Sequence, residues 1–187
     1  MPSLVRNDIA QLVRQYMNKR TPMHRFSSFD YCYRYFYTTS KEQLINDMEK
    51  SCLVLGFYLA SWGMFRGKSS LLQRSARYYE AAIEYISTKP NKCWDIDICC
   101  GAEDNIDQLM DLYEDLRARL ASPSVSHLTL ITKVMLGVFG TVPAFDQYFI
   151  GAFRSIVPGA GFRTFGKKSL AKVLDFYRAN QSVIDQL

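Results

Sequence analysis

The sequence predicts an all-α protein, a single globular domain of about seven to eight helices that spans residues 1–187. Apolar residues recur at helical spacing along most of the chain, and cap residues or prolines separate the apolar segments. One short stretch, residues 91–102, alternates like a strand, but it has no second strand with which to pair, so we interpret it as a loop. We therefore expect a helical content above 60%, about twice that of ordinary globular proteins.

Four helices are predicted in the first half of the chain. The first covers residues 4–16 and stops before a proline, and the second runs from Ser27 through Phe36 with the serine as its cap. The third begins at the capping box that opens with Ser40 and runs to Leu59. The fourth covers residues 70–86, where apolar residues keep the helical period up to the next proline.

Four more helices are predicted in the second half. An amphipathic helix covers residues 103–120, and a serine at 126 caps an apolar helix over 128–139. Pro143 suits the first turn of a helix over 144–156, and the last helix runs from residue 169 to about 182.

The helix over 128–139 is predicted to be central. Almost every direction around it is apolar, except for a narrow stripe of Thr129, Lys133 and Gly137. A helix that is apolar nearly all round is surrounded by other helices. Gly140 follows as the expected left-handed residue at its C-terminal end.

Composition and charge predict a cytoplasmic protein without a metal, cofactor or membrane span. The chain has no signal-peptide pattern and no apolar run of about 20 residues. Its five cysteines lack the paired spacing of a zinc site, so reduced thiols without a disulfide are expected. The net charge is +5, and the surplus lies early, with 14 Lys and Arg against 7 Asp and Glu in residues 1–92. The acidic side chains of Asp107, Asp111 and Glu114 fall on one side of a helix and are compatible with a divalent-ion site. We interpret them as a solvated surface, which charge runs on helices usually form.

Lys133 and Asp146 are the candidate catalytic residues. No phosphate-binding loop, dinucleotide fingerprint, zinc-protease motif or nucleophile elbow occurs in the sequence. Lys133, however, lies inside an apolar helix, and Asp146 lies near the start of the next one. Burying either charge alone is costly, so each is expected to have a partner or to line a cleft. Such a pair can be tuned for chemistry.

The run TKVMLGVFGTVPAFDQYF, residues 132–149, resembles a segment of bacterial proteins similar to helix-hairpin-helix DNA glycosylases. The resemblance consists of a lysine, an apolar helix and the pattern Val-Pro-x-x-Asp. It implies a glycosylase-like helical core in which Asp146 matches an aspartate that faces an extruded base, and Lys133 matches the lysine of the short motif. The glycine-rich hairpin that grips DNA phosphates is absent before Asp146, so the resemblance implies the fold rather than the activity.

Arg25, Arg34, Arg66 and Lys68 are the candidate nucleic-acid contacts. Residues 29–37 contain six aromatic side chains near Arg25 and Arg34, a combination that is typical of base stacking and equally of a helix that packs into a core. Arg66 and Lys68 lie in a glycine-flanked loop after a buried helix. That loop can also be a plain helix–helix turn.

Two functions follow from these observations. The first is binding of DNA or RNA through a basic face. The alternative is a non-enzymatic module that binds or inhibits another protein, of the kind that phages and mobile elements encode, or that forms a homodimer. Surplus tyrosine and methionine side chains are typical of such interfaces. Neither interpretation decides whether the protein is an enzyme.

Overall fold

The computed structural model describes residues 6–96, 103–121, 127–156 and 162–187, and it is 74% helical, with no strand among those residues. The predicted all-α fold class and a helical content above 60% are therefore confirmed. Its helices are α1 (Arg6–Lys19), α2 (Ser27–Thr38), α3 (Lys41–Asn46), α4 (Met48–Ser61), α5 (Glu80–Ser87), α6 (Glu103–Leu120), α7 (Leu128–Phe139), α8 (Gln147–Ile156) and α9 (Lys167–Ile184).

Two predicted helices are divided in the structure. The helix predicted from Ser40 begins as expected, because the Ser40 hydroxyl accepts a hydrogen bond from the Gln43 amide at 3.2 Å, but it breaks at Asp47 into α3 and α4. Residues 70–86 form two 3-10 turns, Ser70–Gln73 and Ala76–Tyr79, before α5 begins. Periodicity continues across such breaks and cannot show them.

Three further boundaries bear on the predictions. The helix predicted over 144–156 begins at Gln147, so Pro143 precedes it rather than opening it. The helix at Ser27 starts there without a side-chain cap, because the Ser27 hydroxyl donates to the Thr21 carbonyl instead. Ser126 and residues 97–102 of the predicted loop lie outside the described residues.

Helix α7 lies at the centre of the fold, as its apolar circumference predicted. It packs against α2, α4 and α6, and nine of its twelve residues are buried. The Tyr58 ring of α4 lies against Gly137, where a Cβ atom would stand 2.2 Å from the ring. The Tyr58 hydroxyl then donates to the Lys133 carbonyl at 3.0 Å. Gly140 ends α7 with a left-handed φ of 72°.

A cluster of six phenylalanines joins α8 to the rest of the core. Its rings lie with centroids 4.7–5.5 Å apart, and its members are Phe145, Phe149, Phe153, Phe162, Phe165 and Phe176. Burial of rings in such tilted and edge-to-face contacts contributes beyond the apolar area alone. The cluster joins α8 to Phe162 and, through Phe153 and Phe176, to α9.

No helix in the described part of the chain has both the length and the hydropathy that a membrane span requires. Cys32 and Cys52 are buried free thiols, and Cys93 is a half-buried one. Burial raises the pKa of Cys52 to about 11 and that of Cys32 further still.

Candidate functional site

The structure brings Lys133 and Asp146 together. The Lys133 Nζ atom lies 3.4 Å from Asp146 Oδ2, and it donates a hydrogen bond to the Trp62 carbonyl at 2.5 Å. The Lys133 side chain is only 5% exposed and that of Asp146 18% exposed. The amine therefore links the C-terminal end of α4, the middle of α7 and the N-terminal end of α8. Each charge lies at the helix end whose dipole favours it.

Two threonines of α7 place Asp146. The Thr129 hydroxyl donates to the Phe145 carbonyl at 3.0 Å, and the Phe145 amide donates to the Thr132 hydroxyl at 2.9 Å. Because the backbone amide and the backbone carbonyl of Phe145 are both hydrogen-bonded to α7, the residue that follows has little conformational freedom. Asp146 then caps α8, since its Oδ1 atom accepts from the amides of Tyr148 and Phe149, each at 3.0 Å.

The pKa of Lys133 is lowered from its ordinary value. Burial is the largest cause, because a low-dielectric environment penalises the charged amine. Asp146 opposes this effect, whereas the Arg66 and Arg25 guanidinium groups add to it. Lys133 thus experiences the charge of two arginines distant in sequence.

These residues line one cavity of about 900 Å³, which we name the Lys133 cleft. The first wall comes from α1 and the loop before α2, the second from the turn after α4, and the third from α7 and the start of α8. Its lining residues are Tyr16, Arg25, Phe26, Trp62, Gly63, Met64, Arg66, Thr129, Lys133, Leu136, Pro143, Ala144, Asp146, Gln147, Tyr148 and Phe149. A cavity of this size is typical of a binding site for a small molecule or a single unit of a polymer.

Arg25 and Arg66 are the exposed cations of the Lys133 cleft. Neither guanidinium forms a salt bridge with a carboxylate among the described residues, whereas Arg20 pairs with Asp30 at 2.5 Å and Arg119 with Asp115 at 3.4 Å. Arg25 lies over the Phe26 ring, 5.2 Å from its centroid, and Arg66 donates to the Gly63 carbonyl at 3.4 Å. Both guanidinium groups can therefore form charge-assisted hydrogen bonds with an anion.

Aromatic rings form much of the remaining wall. Phe26 lies 5.1 Å from Tyr16 and 5.5 Å from Trp62, measured between ring centroids. Tyr148 on the opposite side is 68% exposed. The indole Nε1 of Trp62 is buried and has no acceptor among the described residues, and an unpaired buried donor costs roughly 1–3 kcal/mol. The Lys133 cleft thus combines free cations with aromatic surface.

The structure separates the four predicted nucleic-acid contacts into two pairs. Arg25 and Arg66 line the Lys133 cleft, while Arg34 and Lys68 are exposed and do not line it. The aromatic segment 29–37 does not line it either. Within that segment Cys32 and Phe36 are buried, and Phe29, Tyr33 and Tyr37 form a stack along α2, with centroids 6.1 and 5.8 Å apart.

Sequence reasoning missed the aromatic lining of the cleft. Tyr16, Phe26, Tyr148 and Phe149 come from three separate segments, and their convergence depends on tertiary packing. One signal was present, because Trp62 and Arg66 occur in the same glycine-flanked loop and Phe26 follows Arg25 directly.

No group of three or more His, Cys, Asp or Glu side chains in the described ranges could hold a metal ion. Of the acidic face on α6, Asp107 pairs with Lys167 at 2.6 Å and Glu114 with Arg117 at 2.9 Å. These contacts are two separate surface ion pairs.

No protein-family model, curated protein or solved structure matches this chain. The resemblance of residues 132–149 to glycosylase-like proteins therefore stays a prediction.

Proposed function

We propose that this protein binds nucleic acid through the Lys133 cleft, with DNA or RNA phosphates on Arg25 and Arg66 and an unpaired base against the aromatic wall. The observation that carries the proposal is the pair of carboxylate-free guanidinium groups on an aromatic cavity. Arginine matches phosphate oxygens with two parallel hydrogen bonds, and bases stack on aromatic side chains at about 1–3 kcal/mol each. A cytoplasmic site of action belongs to the same proposal.

Single strands are favoured over duplexes by the shape of the site. The bases of a duplex are stacked on one another, so their faces are not free to contact the wall that Phe26 and Trp62 form. A cavity of about 900 Å³ also has the size of a site for a single unit of a polymer rather than for a duplex. We expect tighter binding of single-stranded DNA or RNA than of duplexes of the same length.

The structure favours a holding role for Lys133 and Asp146 over direct chemistry. The amine already contacts Trp62 and Asp146, and one Asp146 oxygen is occupied by two α8 amides. In the proposal these two residues form the inner end of the Lys133 cleft. Their assignment as catalytic residues stays a prediction.

Fluorescence anisotropy with labelled 20-nucleotide single strands and duplexes, measured across salt concentrations, tests the proposal. The variant Arg25→Gln/Arg66→Gln should weaken binding and reduce the salt slope for single strands by about 1.4, since each lost phosphate contact changes it by about 0.7. Arg34→Gln/Lys68→Gln removes the same charge outside the cleft and is the matched control. Equal effects of the two double variants, or no binding by the wild type, would refute the proposal.

A second candidate function rests on an exposed apolar strip. Tyr31 of α2 is 59% exposed, and Leu53 and Phe57 of α4 are 54% and 66% exposed on the face beside it. This surface favours the protein-interaction alternative, in the form of a homodimer. Sedimentation velocity of the wild type and Leu53→Ser/Phe57→Ser tests it, and a monomer at all concentrations would reject the homodimer.

A further inference from the structure

The Lys133 cleft contains a surplus of positive charge. Its charged lining residues are Arg25, Arg66, Lys133 and Asp146, so three cations face one carboxylate. Lys133 and Asp146 pair with each other at 3.4 Å, which leaves the two guanidinium groups as the unbalanced charge. A complementary ligand therefore supplies about two negative charges.

A phosphate monoester fits this requirement better than an internal phosphodiester. A monoester has a charge of about −1.5 to −2 at pH 7 and three terminal oxygens, whereas each phosphodiester in a strand carries a single charge. Two arginines can each contact a pair of those oxygens. A single internal phosphate would balance the charge of only one of the two guanidinium groups, so a strand would have to supply two of them.

Gly63 positions one of these arginines. It has a left-handed φ of 81°, and the Arg66 guanidinium folds over it so closely that a Cβ atom would lie 2.1 Å from Nη2. Arg66 Nε also donates to the Gly63 carbonyl at 3.4 Å. The turn after α4 thus holds Arg66 at the wall of the cleft, and a side chain at position 63 would displace it.

We propose that the Lys133 cleft selects a phosphate monoester attached to a base, either the terminal phosphate of a strand or a nucleoside monophosphate. This inference rests on the proposed nucleic-acid binding and deepens it, because it names the ligand group. The phosphate contacts Arg25 and Arg66, and the base lies against Phe26 and Trp62. Gly63 acts as a positioning residue through Arg66.

The test measures the affinity for one single-stranded oligonucleotide in three forms, which carry a 5′-phosphate, a 3′-phosphate or only hydroxyl ends. AMP, adenosine and ribose 5-phosphate serve as competitors. We expect one terminal phosphate to tighten binding about tenfold, and AMP to compete better than adenosine or ribose 5-phosphate. The preference should disappear in Arg25→Gln/Arg66→Gln and persist in Arg34→Gln/Lys68→Gln. It should also fall between pH 7.5 and 5.5, because the monoester takes up its second proton near pH 6 while arginine does not titrate.

Gly63→Ala supplies a second, independent test. It should reduce the phosphate preference in the wild-type background and have no further effect in Arg66→Gln, because both changes act on the same guanidinium. An additional loss in the Arg66→Gln background would refute the positioning role. Melting temperatures of all variants establish that each is folded.

The outcomes separate this inference from the proposed function. Equal affinity for phosphorylated and hydroxyl-ended strands overturns the inference and leaves nucleic-acid binding intact. Binding of AMP without binding of any strand refutes nucleic-acid binding and the terminal phosphate of a strand as ligand, and it leaves only the free nucleoside monophosphate as the ligand of the Lys133 cleft. Binding of neither refutes both.

Discussion

Asp146→Asn is expected to destabilise the fold by about 3 kcal/mol at pH 7, whereas Lys133→Met should cost about 1 kcal/mol or less. Removing one partner of a buried ion pair typically costs 3–5 kcal/mol, because it leaves an uncompensated charge. The Lys133 side chain is 5% exposed, so its amine stays buried beside a neutral group when Asp146 loses its charge. The lower end of the range applies because Nζ keeps its hydrogen bond to the Trp62 carbonyl.

Lys133→Met removes the other partner and leaves the Asp146 carboxylate, which still has hydrogen-bond donors. Asp146 is 18% exposed and keeps the amides of Tyr148 and Phe149, which lie at the positive end of the α8 dipole. Methionine at position 133 keeps the apolar stem of the lysine. Asparagine at position 146, in turn, caps a helix nearly as well as aspartate, so the cap contributes little to the cost of Asp146→Asn.

Deprotonation of Lys133 limits the cost of Asp146→Asn. An ordinary lysine has a pKa of 10.5, so its neutralisation at pH 7 spans about 3.5 pH units and costs about 5 kcal/mol. The destabilisation cannot exceed that value by much, because a neutral amine can remain buried. An expected value of about 3 kcal/mol lies below this limit.

Denaturant unfolding followed by circular dichroism at pH 7 measures these differences. For a chain of 187 residues, about 3 kcal/mol corresponds to a fall in Tm of about 6–12 °C. The double variant should cost about as much as Lys133→Met alone, which gives a coupling energy of about 3 kcal/mol. A coupling energy near zero, or a larger loss in Lys133→Met than in Asp146→Asn, would refute the buried pair.

Three further predictions concern α7. Burial lowers the folded-state pKa of Lys133, so the unfolded chain binds more protons than the folded one at alkaline pH. The stability of the wild type relative to Lys133→Met should therefore rise as the pH increases toward 10.5, by at most about 1.4 kcal/mol per pH unit. Paired denaturant titrations of the two proteins measure this difference. Gly137→Ala should cost at least about 1–3 kcal/mol, because it drives a Cβ atom into the Tyr58 ring. The control Gly151→Ala, with open space around it, should be neutral or stabilising. Equal Tm values for the two variants would contradict this prediction. Thr132→Val should cost about 1–3 kcal/mol because it leaves a buried amide without its acceptor, and unchanged hydrogen exchange of that amide would argue against it.

The central helix and the pairing of its lysine could be predicted from local sequence. Residues 128–139 are apolar nearly all round, and the structure buries them between three helices. Lys133 and Asp146 are only 13 residues apart with a tight turn between them, and burial cost predicts that each has a partner or lines a cleft. In the structure each is the partner of the other. Both arguments depend on short-range information.

The start of α8 could not be predicted in the same way. Pro143 and Ala144 favour a helix that begins at once, but tertiary hydrogen bonds from Thr129 and Thr132 hold the Phe145 peptide. The helix therefore begins three residues later, with Asp146 as its cap. These contacts join positions 13 and 16 residues apart, which a helical wheel does not compare.

The sequence also could not show which of the four candidate cations share one cavity. Arg25 and Arg66 were candidates on charge and neighbouring residues, and so were Arg34 and Lys68. Only the packing of the loop before α2 near the turn after α4 brings the first two to one cavity. Pattern recognition selects residue types, while the selection among residues of one type depends on the tertiary fold.

The buried pair bears on the proposed binding through arginine. Lys133 bonds to the end of α4 and Asp146 caps α8, so the charges deepest in the Lys133 cleft are used to join three helices. That use leaves the inner end nearly neutral and fixed in position. In the proposed function, the ligand charge is met by Arg25 and Arg66, which are exposed, so their substitution is expected to cost little stability. Binding and folding can therefore be separated experimentally, with the arginine variants reporting on affinity and the Lys133–Asp146 variants on stability.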